Sequence, residues 1–336
     1  MREALYYDAA APDEKNKSVH CRLCPHECKI LPYKTGICSA RKNIEGKLYS
    51  LTYAKASSIN LDPIEKKPLY HFYPGSEILS VGAVGCTFRC LHCQNWQISM
   101  AKPEDSGMRN FTTEEALELA RKYDSVGIAY TYNEPLINYE WLLETSKAFH
   151  NEGLKNALVT NGYINEKPLL ELLQYTDAAN IDVKSFREDF YAKICGAKLE
   201  PVLKTVKTMI KNKVHVELTY LIITNRNDSE QEISDFVDWV ASIGDTVPLH
   251  FSRYFPTHKM AEPPTPLGKL EEAYKIAAKK LKYVYVGNVH EDKYSKTVCP
   301  HCGNMLVNRA GYKTEVTGVD ENGACKKCGK KTGIIC

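Results

Sequence analysis

The chain has 336 residues, of which 43% are hydrophobic, and its 44 basic and 41 acidic residues give a formal net charge of +3. This length allows one large core with small appendages, and the near-neutral charge neither demands nor excludes a nucleic-acid partner. No stretch approaches the ~20 apolar residues of a membrane span, and the N-terminus lacks the apolar region of a secretory signal, so we expect a soluble, cytoplasmic protein with no membrane partner.

Thirteen cysteines are the unusual feature of the composition. Eleven of them fall into three tight groups, which favours metal ligation over disulfides in a reducing compartment. The two others, Cys195 and Cys336, have no neighbours of their kind in the sequence, and we expect them in the core and at the terminus respectively.

The first cysteine group lies in an N-terminal segment that we assign to residues 1–77. Four thiols within eighteen residues can close a tetrahedral site, and zinc and an auxiliary iron–sulfur cluster fit them equally well. The four are Cys21, Cys24, Cys28 and Cys38. Residues 46–59 alternate and are β-branched, which predicts a short hairpin.

From residue 78 onward strand-like and helix-like runs alternate, and we assign residues 78–293 to one core domain. The predicted strands are 78–84, 126–131, 156–160, 178–183, 214–223, 247–252 and 283–287. The predicted helices are 112–123, 135–151, 165–174, 200–212, 228–243 and 266–281. This alternation predicts an α/β fold whose six or seven parallel strands curl into a partial (β/α) barrel, with an open doubly wound sheet as the alternative.

The second cysteine group follows the first core strand and consists of Cys86, Cys90 and Cys93. Closed structural sites normally have four protein ligands, so three thiolates on one short loop suggest a cubane cluster with one iron open to a bound molecule. The alternative is a structural site that takes a distant fourth ligand.

Polar residues gather where the predicted strands end, which is where barrel enzymes place their chemistry. Each could also be a cap, a turn residue or a plain ion pair, but five such sites at successive strand ends favour a common pocket. The candidates after the second, third, fourth and sixth strands are Tyr132, Asn133, Glu134, Thr160, Asn161, Asp182, Lys184, His250 and Arg253, and residues 224–228 follow the fifth.

The third cysteine group forms a tail unit that we assign to residues 294–336. Two matched Cys-x2-Cys-Gly pairs predict a zinc ribbon, with a rubredoxin-like single iron as the alternative. The ligands are Cys299, Cys302, Cys325 and Cys328. Such a unit can bind RNA, protein or neither.

These motifs resemble a known family. Cys-x3-Cys-x2-Cys at residues 86–93 is similar to the signature of radical S-adenosylmethionine (radical SAM) enzymes, and the N-terminal cysteines resemble the leader of proteins related to pyruvate formate-lyase activating enzymes. The nearly full-length resemblance is to the radical SAM member of the AmmeMemoRadiSam group. It rests on residues 132–135, 159–162, 180–184, 201–203, 215–219, 250–253, 264–266 and 287–289.

The resemblance implies a [4Fe-4S] cluster on the three cysteines that binds SAM through its open iron. His92 stands where the family has an aromatic residue, and its ring can stack on adenine. Residues 132–134 stand where relatives have Gly-Gly-Glu and hold the amino group of SAM, a role that suits the carboxylate of Glu134. Thr160 and Asn161 stand near the ribose contacts, and hydroxyl groups suit the Asn161 amide.

We therefore expect an enzyme that cleaves SAM to methionine and a 5′-deoxyadenosyl radical, which abstracts hydrogen from a macromolecule or a substrate presented by a partner. Asp182, Lys184, His250 and Arg253 are candidates for the inner wall. Reduced ferredoxin or flavodoxin would donate electrons, and the resemblance implies Memo-type and AMME-type partners. The alternatives are an activase of a glycyl-radical enzyme, an RNA-modifying enzyme, and a non-catalytic electron carrier or zinc-dependent binding protein.

Overall fold

An eight-stranded sheet forms the centre of the fold in this computed structural model, which describes residues 1–9 and 17–336. Its strands, in chain order, are β1 (Ser58–Pro63), β2 (Glu77–Gly82), β3 (Gly127–Tyr130), β4 (Lys155–Thr160), β5 (Ala178–Asp182), β6 (His215–Ile222), β7 (Leu249–Arg253) and β8 (Val284–Gly287). The spatial order of the strands is the same as their order along the chain.

Strands β2 to β8 are parallel, and β1 pairs with β2 in the antiparallel direction. Because the strand order never reverses, the sheet is not doubly wound. Crossovers between parallel strands are almost always right-handed, and we expect them to place the connecting helices on one face. Within the described residues no ladder joins β1 to β8, so the sheet has two edges. This is a parallel α/β sheet wound in one direction.

Six helices connect the strands, and each falls within a predicted helical stretch to within one residue. They are α1 (Thr113–Lys122), α2 (Tyr139–Asn151), α3 (Glu166–Leu172), α4 (Leu199–Lys211), α5 (Glu230–Ile243) and α6 (Leu267–Ala278). The Thr112 side chain accepts a hydrogen bond from the backbone N–H of Glu115 at 3.2 Å, as the predicted cap requires. A full capping box would also have the Glu115 carboxylate accept from the Thr112 backbone N–H. In the described residues this carboxylate pairs with Arg109, so only half of the capping box forms.

The N-terminal segment differs from its prediction. The hairpin joins Arg41–Ile44 to Lys47–Ser50, earlier than the expected 46–59, and Arg2–Glu3 adds a third strand to it. Ser58–Pro63, which precedes the predicted core domain of residues 78–293, is β1 of the main sheet. The cause is tertiary, because an alternating apolar run does not reveal which strand it will pair with.

Short elements complete the description. A three-stranded sheet joins Tyr7–Asp8, Val19–Cys21 and Lys29–Ile30, and Lys55–Ala56 pairs with Arg109–Asn110. Short helices or turns cover Ile64–Lys66, Trp96–Ser99, Pro103–Asp105, Pro135–Asn138, Leu173–Tyr175, Glu188–Phe190, Tyr191–Cys195 and Asp292–Tyr294. In the described part of the chain, no helix has both the length and the apolar character needed to cross a membrane.

The tail has a small antiparallel sheet of its own, with β9 (Thr297–Val298), β10 (Met305–Ala310) and β11 (Lys313–Val316). Its core is separate from the main one and consists of Cys299, Leu306, Val307, Val319, Cys325 and Ile334. Arg309 attaches this unit to the rest of the chain: its buried guanidinium lies 4.2 Å from the centre of the Tyr70 ring and donates to the Tyr70 carbonyl oxygen at 2.6 Å.

The tail packs near the N-terminal ends of the parallel strands. The hydroxyl of Tyr285, the second residue of β8, lies 2.8 Å from Oγ1 of Thr297 and 2.6 Å from Nε2 of His71. The Ile335 N–H donates to the His71 carbonyl oxygen at 2.8 Å, and His71 itself precedes β2. The three-cysteine loop follows the opposite end of β2, so this loop and the tail cysteine group lie at opposite ends of the sheet.

Candidate active site

The three-cysteine loop, residues 85–96, is held in place by hydrogen bonds to its own backbone and to its sulfur atoms. The Gly85 N–H donates to the Ile98 carbonyl oxygen at 2.9 Å, which closes the loop on itself. The Phe88 N–H lies 3.3 Å from Sγ of Cys86, and Nδ2 of Asn161 lies 3.7 Å from the same atom. Donors aimed at a sulfur atom stabilise a thiolate that ligates a metal.

A neighbouring turn, Tyr191–Cys195, supports the middle of the loop. The Arg89 N–H donates to the Cys195 carbonyl oxygen at 2.8 Å, and the Leu91 N–H donates to the Ile194 carbonyl oxygen at 3.0 Å. This turn has π-helical hydrogen bonding, which often marks functional sites. Cys195 is fully buried, as predicted.

Asn133 positions the start of the loop. Its Oδ1 accepts from the Ala83 N–H, and its Nδ2 donates to the Gly85 carbonyl oxygen, both at 2.9 Å. The side chain of Tyr132 lies toward β1 and the residues that follow it. Its hydroxyl donates to Asp62, and its ring lies 4.6 Å from the Lys67 ammonium. The side chain of Asn133 is therefore bonded to the cysteine loop and that of Tyr132 to the β1 side, while the Tyr132 carbonyl oxygen accepts from Nδ2 of Asn95 in the loop at 2.8 Å.

Glu134 is a buried carboxylate behind the loop. Its Oε1 accepts from Oγ1 of Thr160 at 2.7 Å and from the Leu136 N–H at 3.1 Å, and its Oε2 accepts from the Asn161 N–H at 2.8 Å. Burial raises the pKa of Glu134 to about 7, because desolvation outweighs these three hydrogen bonds. A cation placed beside this carboxylate would stabilise its ionised form.

The loop after β4 connects Glu134 to the cysteines. Nδ2 of Asn161 donates to Oγ1 of Thr87 at 2.9 Å, and Oδ1 of Asn161 accepts from the Tyr163 N–H at 3.0 Å. Both Asn161 and Thr87 are buried. The predicted cofactor residues Glu134, Thr160 and Asn161 thus form one bonded group next to Cys86.

His92 is a buried side chain without a polar partner. The side chain is 3% exposed, and neither ring nitrogen has a hydrogen-bond partner among the described residues. Burial lowers the pKa of His92 to about 3, so the imidazole is neutral at physiological pH. Buried polar atoms are normally paired, so these two nitrogens, on the residue next to Cys93, are free to hydrogen-bond a bound molecule.

Asp182 and Lys184 form an ion pair at the end of β5, with Nζ and Oδ2 2.9 Å apart. Burial alone would lower the pKa of Lys184, but the Asp182 carboxylate and the Cys90 sulfur raise it above its ordinary value. Lys184 therefore carries a positive charge close to the cysteine loop. A cluster with three thiolate ligands is anionic, and this ammonium offsets part of that charge.

His250 and Arg253 have other surroundings. His250 is the second residue of β7, and its Nε2 lies 2.6 Å from Oε2 of Glu217, while its ring stacks on Tyr285. Arg253 donates to the Thr265 carbonyl oxygen at 2.8 Å. Their place in the inner wall of the active site stays a prediction, and the contacts of His250 join it to Tyr285, on which the tail packs.

The N-terminal cysteine segment touches the three-cysteine loop, a contact that local sequence patterns did not reveal. Nε2 of His26 lies 2.8 Å from the Thr87 carbonyl oxygen. The Arg89 guanidinium donates to the Ile37 carbonyl oxygen and, at 3.3 Å, to Oγ of Ser39. The two cysteine groups are therefore parts of one structural unit.

Gly85 is required at this contact. Its φ is +94°, and a Cβ there would lie 2.4 Å from the Cys38 carbonyl oxygen. We expect Gly85→Ala to lower the free energy of unfolding by at least about 2 kcal/mol, because backbone strain and a steric clash add. Denaturant unfolding measures this difference.

Gly153→Ala is the matched control, since Gly153 has a φ of +76° and no atom within 4 Å of an added Cβ. It should show only the cost of backbone strain, about 1 kcal/mol. Equal losses of stability in the two variants would contradict the close packing of Cys38 on the loop.

The residues fit a [4Fe-4S] cluster with SAM. Three cysteines on one loop leave one iron of a cubane without a protein ligand. The unpaired nitrogens of His92 could bond an aromatic base, and the buried carboxylate of Glu134, which has three hydrogen bonds but no ion pair among the described residues, could pair with an ammonium group. Cys86, Cys90 and Cys93 would hold the cluster.

Sequence comparisons agree with this geometry. Residues 81–240 match the family described as the Radical SAM superfamily. Over its whole length the chain is 44% identical to an uncharacterized protein of Methanocaldococcus jannaschii, all of which it covers. It is also 22% identical over 181 residues to the pyruvate formate-lyase 1-activating enzyme of Escherichia coli, which amounts to 51% of this chain and 71% of that protein.

A structural comparison shows the same fold. Streptococcus suis SuiB bound to S-adenosylmethionine aligns with a TM-score of 0.51 at 13% identity, covering 63% of this chain and 52% of that one. The cysteine loop, the parallel sheet and the sequence similarity together show that residues 81–240 form a radical SAM domain related to pyruvate formate-lyase activating enzymes, and that the chain is a radical SAM enzyme.

Proposed function

We propose that the chain binds SAM between the three-cysteine loop and the loops after β3 and β4, and abstracts hydrogen from a macromolecule or from a substrate presented by a partner. The observation that carries the SAM site is the bonded group of Glu134, Thr160 and Asn161 next to Cys86. Cys86, Cys90 and Cys93 would hold a [4Fe-4S] cluster, which would supply the electron for cleavage of SAM to methionine and a 5′-deoxyadenosyl radical.

The side chains around the loop have distinct proposed tasks. The Glu134 carboxylate receives the ammonium group of SAM, and the Asn161 amide lies within reach of the ribose hydroxyls. The neutral ring of His92 contacts adenine through its face or an unpaired nitrogen. Asn133 keeps the loop in position, and Lys184 offsets negative charge beside Cys90.

Glu134→Gln tests this site. We expect the dissociation constant of SAM to rise about tenfold or more, because a hydrogen bond to a charged partner contributes ~1.5–3 kcal/mol. Equilibrium binding of SAM to the anaerobically reconstituted protein measures it. Glu166→Gln is the control, because Glu166 is exposed and its one ion pair within the described part of the chain is with Lys204. Equal affinities of the wild type and Glu134→Gln would contradict the assignment.

The same carboxylate predicts a pH dependence. The pKa of Glu134 is raised to about 7, so acid converts it to the neutral form that cannot hold an ammonium group. We expect SAM binding to weaken roughly eightfold between about pH 7.5 and pH 6 as the ionised fraction falls. The Glu134→Gln profile should be flat over this range, and an identical slope in both proteins would count against Glu134.

The substrate proposal rests on exposed aromatic side chains beside the loop. Trp96 is 40% exposed and stacks on His258, with ring centroids 5.3 Å apart. Phe255 is 43% exposed, and the same segment bonds to the loop through the Lys259 N–H and the Leu91 carbonyl oxygen at 3.0 Å. Exposed aromatic groups next to a radical site favour docking of a large partner over enclosure of a small metabolite.

Deuterium transfer tests the size of the substrate. A lysate of the native host grown in heavy water is separated into macromolecular and small-molecule fractions and incubated anaerobically with enzyme, SAM and dithionite. We expect deuterium in 5′-deoxyadenosine from the macromolecular fraction. Transfer from the small-molecule fraction alone would contradict the proposal, and nuclease or protease treatment of the active fraction distinguishes RNA from protein.

The resemblance to the AmmeMemoRadiSam group supports Memo-type and AMME-type proteins as partners. Reduced ferredoxin or flavodoxin is the proposed electron donor, because cluster potentials can lie very low. Such a donor fits an enzyme that works in the cytoplasm. An anaerobic pull-down from the native host tests these partners directly.

Activation of a glycyl-radical enzyme is the second candidate, and the similarity to proteins named as activating enzymes favours it. Its substrate is a backbone glycine, so deuterium would come from protein. The position of the tail near the N-terminal ends of the strands offers no support for the tail as an RNA-docking module at the radical site. Since the chain is a radical SAM enzyme, we do not retain the non-catalytic carrier.

A further inference from the structure

The sulfur atoms of the three cysteine groups have different spacings. In the tail, Sγ of Cys299 lies 3.7 Å from Sγ of Cys328, and Sγ of Cys302 lies 3.7 Å from Sγ of Cys325. All four tail sulfurs lie within 4.8 Å of one another. Tetrahedral bonds of ~2.3 Å to one zinc ion place sulfurs about 3.8 Å apart, so the tail group matches a single ion.

The N-terminal group has a wider spacing. Cys21, Cys24, Cys28 and Cys38 all line one cavity. Among the described residues, however, no three of these sulfurs come within 4.8 Å of one another, although each could offer one ligand atom. A single zinc ion would require the closer arrangement that the tail shows.

The three-cysteine loop provides an internal comparison. Its sulfurs also fail to come within 4.8 Å of one another in the described chain, and this loop carries the family's cluster signature. Each thiolate of a cubane binds a different iron atom, so its ligands stand further apart than those of one ion. By spacing, the N-terminal group resembles the cluster loop and differs from the tail.

The remaining cavity wall suits a cluster. Apart from the cysteines it is mainly apolar, with side chains that include Leu23, Ile30 and Ile137. Arg41 is the buried cation of this wall, and its guanidinium pairs with Glu140 and donates to the Leu5 carbonyl oxygen at 2.8 Å. Burial and nearby charge are the means by which a protein sets a cluster potential.

We propose that Cys21, Cys24, Cys28 and Cys38 hold a second four-iron cluster, which relays electrons to the cluster of the three-cysteine loop. Thr87 lines the same cavity and is the neighbour of Cys86 in the chain. His26 contacts the Thr87 carbonyl oxygen, and Asn161 contacts both the Thr87 hydroxyl and Cys86 Sγ. A single residue thus separates the two sites.

The relay is a one-electron exchange. A reduced ferredoxin- or flavodoxin-type donor, or dithionite in vitro, loses one electron and takes the second cluster from the 2+ to the 1+ state. That cluster returns to 2+ as the loop cluster goes from 2+ to 1+, and no bond or proton is transferred. The relay rests on the proposed function, whereas the identity of the second cluster does not.

The triple variant Cys86→Ala, Cys90→Ala, Cys93→Ala tests the cluster without any need for activity. After anaerobic reconstitution and desalting we expect about four irons and about four sulfides per chain, with one zinc in the tail and an electron paramagnetic resonance signal after reduction. A chain with two zinc ions and no iron would overturn the assignment.

A second variant tests the same iron assignment if the triple variant does not fold. Cys24→Ser with Cys28→Ser should lose about half of the wild-type iron while its remaining reduced signal still changes when SAM is added. Wild-type iron content in that protein would overturn the second cluster. A wild-type signal that never responds to SAM would count against the proposed function and leave the iron assignment intact.

Electron transfer between the two clusters is tested separately, through the magnetic interaction between them. Two reduced clusters separated by one residue interact magnetically, so the spectrum of the reduced wild type should be broader than the sum of the spectra of the two variants. A spectrum equal to that sum would overturn the relay, whatever the iron content.

Discussion

Cys90→Ala is expected to reduce dithionite-dependent formation of 5′-deoxyadenosine from SAM to the background level. Cys90 is buried in the middle of the loop, where Arg89 and Leu91 on either side are bonded to residues 194–195. A missing ligand there leaves two thiolates, which cannot hold a cubane with a single open iron. Anaerobic assays of product formation, with iron and zinc analysis, measure the effect.

The metal sites elsewhere should survive this change. Any metal that the tail cysteines hold should remain, because their four sulfurs lie at the opposite end of the sheet. Cys336→Ser is the matched control, since this exposed terminal thiol belongs to none of the three groups. Full activity of Cys90→Ala would refute the assignment of the loop as the SAM-cleaving site.

Removal of the tail metal is expected to unfold residues 297–336. The separate tail core contains only six buried residues, two of them the cysteines themselves, and this cannot stabilise about forty residues. A structural zinc contributes ~10–16 kcal/mol of folding free energy in comparable small domains. Cys302→Ala in the full chain should therefore lose the tail metal and amide protection throughout β9, β10 and β11.

Hydrogen exchange followed by mass spectrometry measures that loss. It should extend to Tyr70 and His71, which the tail covers through Arg309 and Ile335. The exposed Lys327→Ala in the same knuckle is the control and should retain zinc. Likewise, a fragment of residues 294–336 should be unfolded when chelated, and a circular dichroism spectrum that is the same with and without metal would contradict this account.

Local patterns in the sequence determined much of the architecture. Strand and helix periodicity located all seven parallel strands and all six connecting helices, because these patterns depend on side chains a few residues apart. The three cysteines of residues 86–93 were recognisable for the same reason, since one loop carries the whole ligand set. Glu134 and Asn161 could be selected because strand ends meet at one edge of a parallel sheet.

Only the tertiary structure decided which distant groups meet. His250 follows the same local pattern as Asp182, yet its partner is Glu217, because burial within the sheet depends on the neighbouring strand. The contact of Cys38 with Gly85 joins segments 47 residues apart, and no periodicity encodes it. Cysteine spacing along the chain leaves zinc and iron equally suitable for the N-terminal group, whereas the separation of its sulfur atoms in space, set by the packing of three chain segments, favours a cluster.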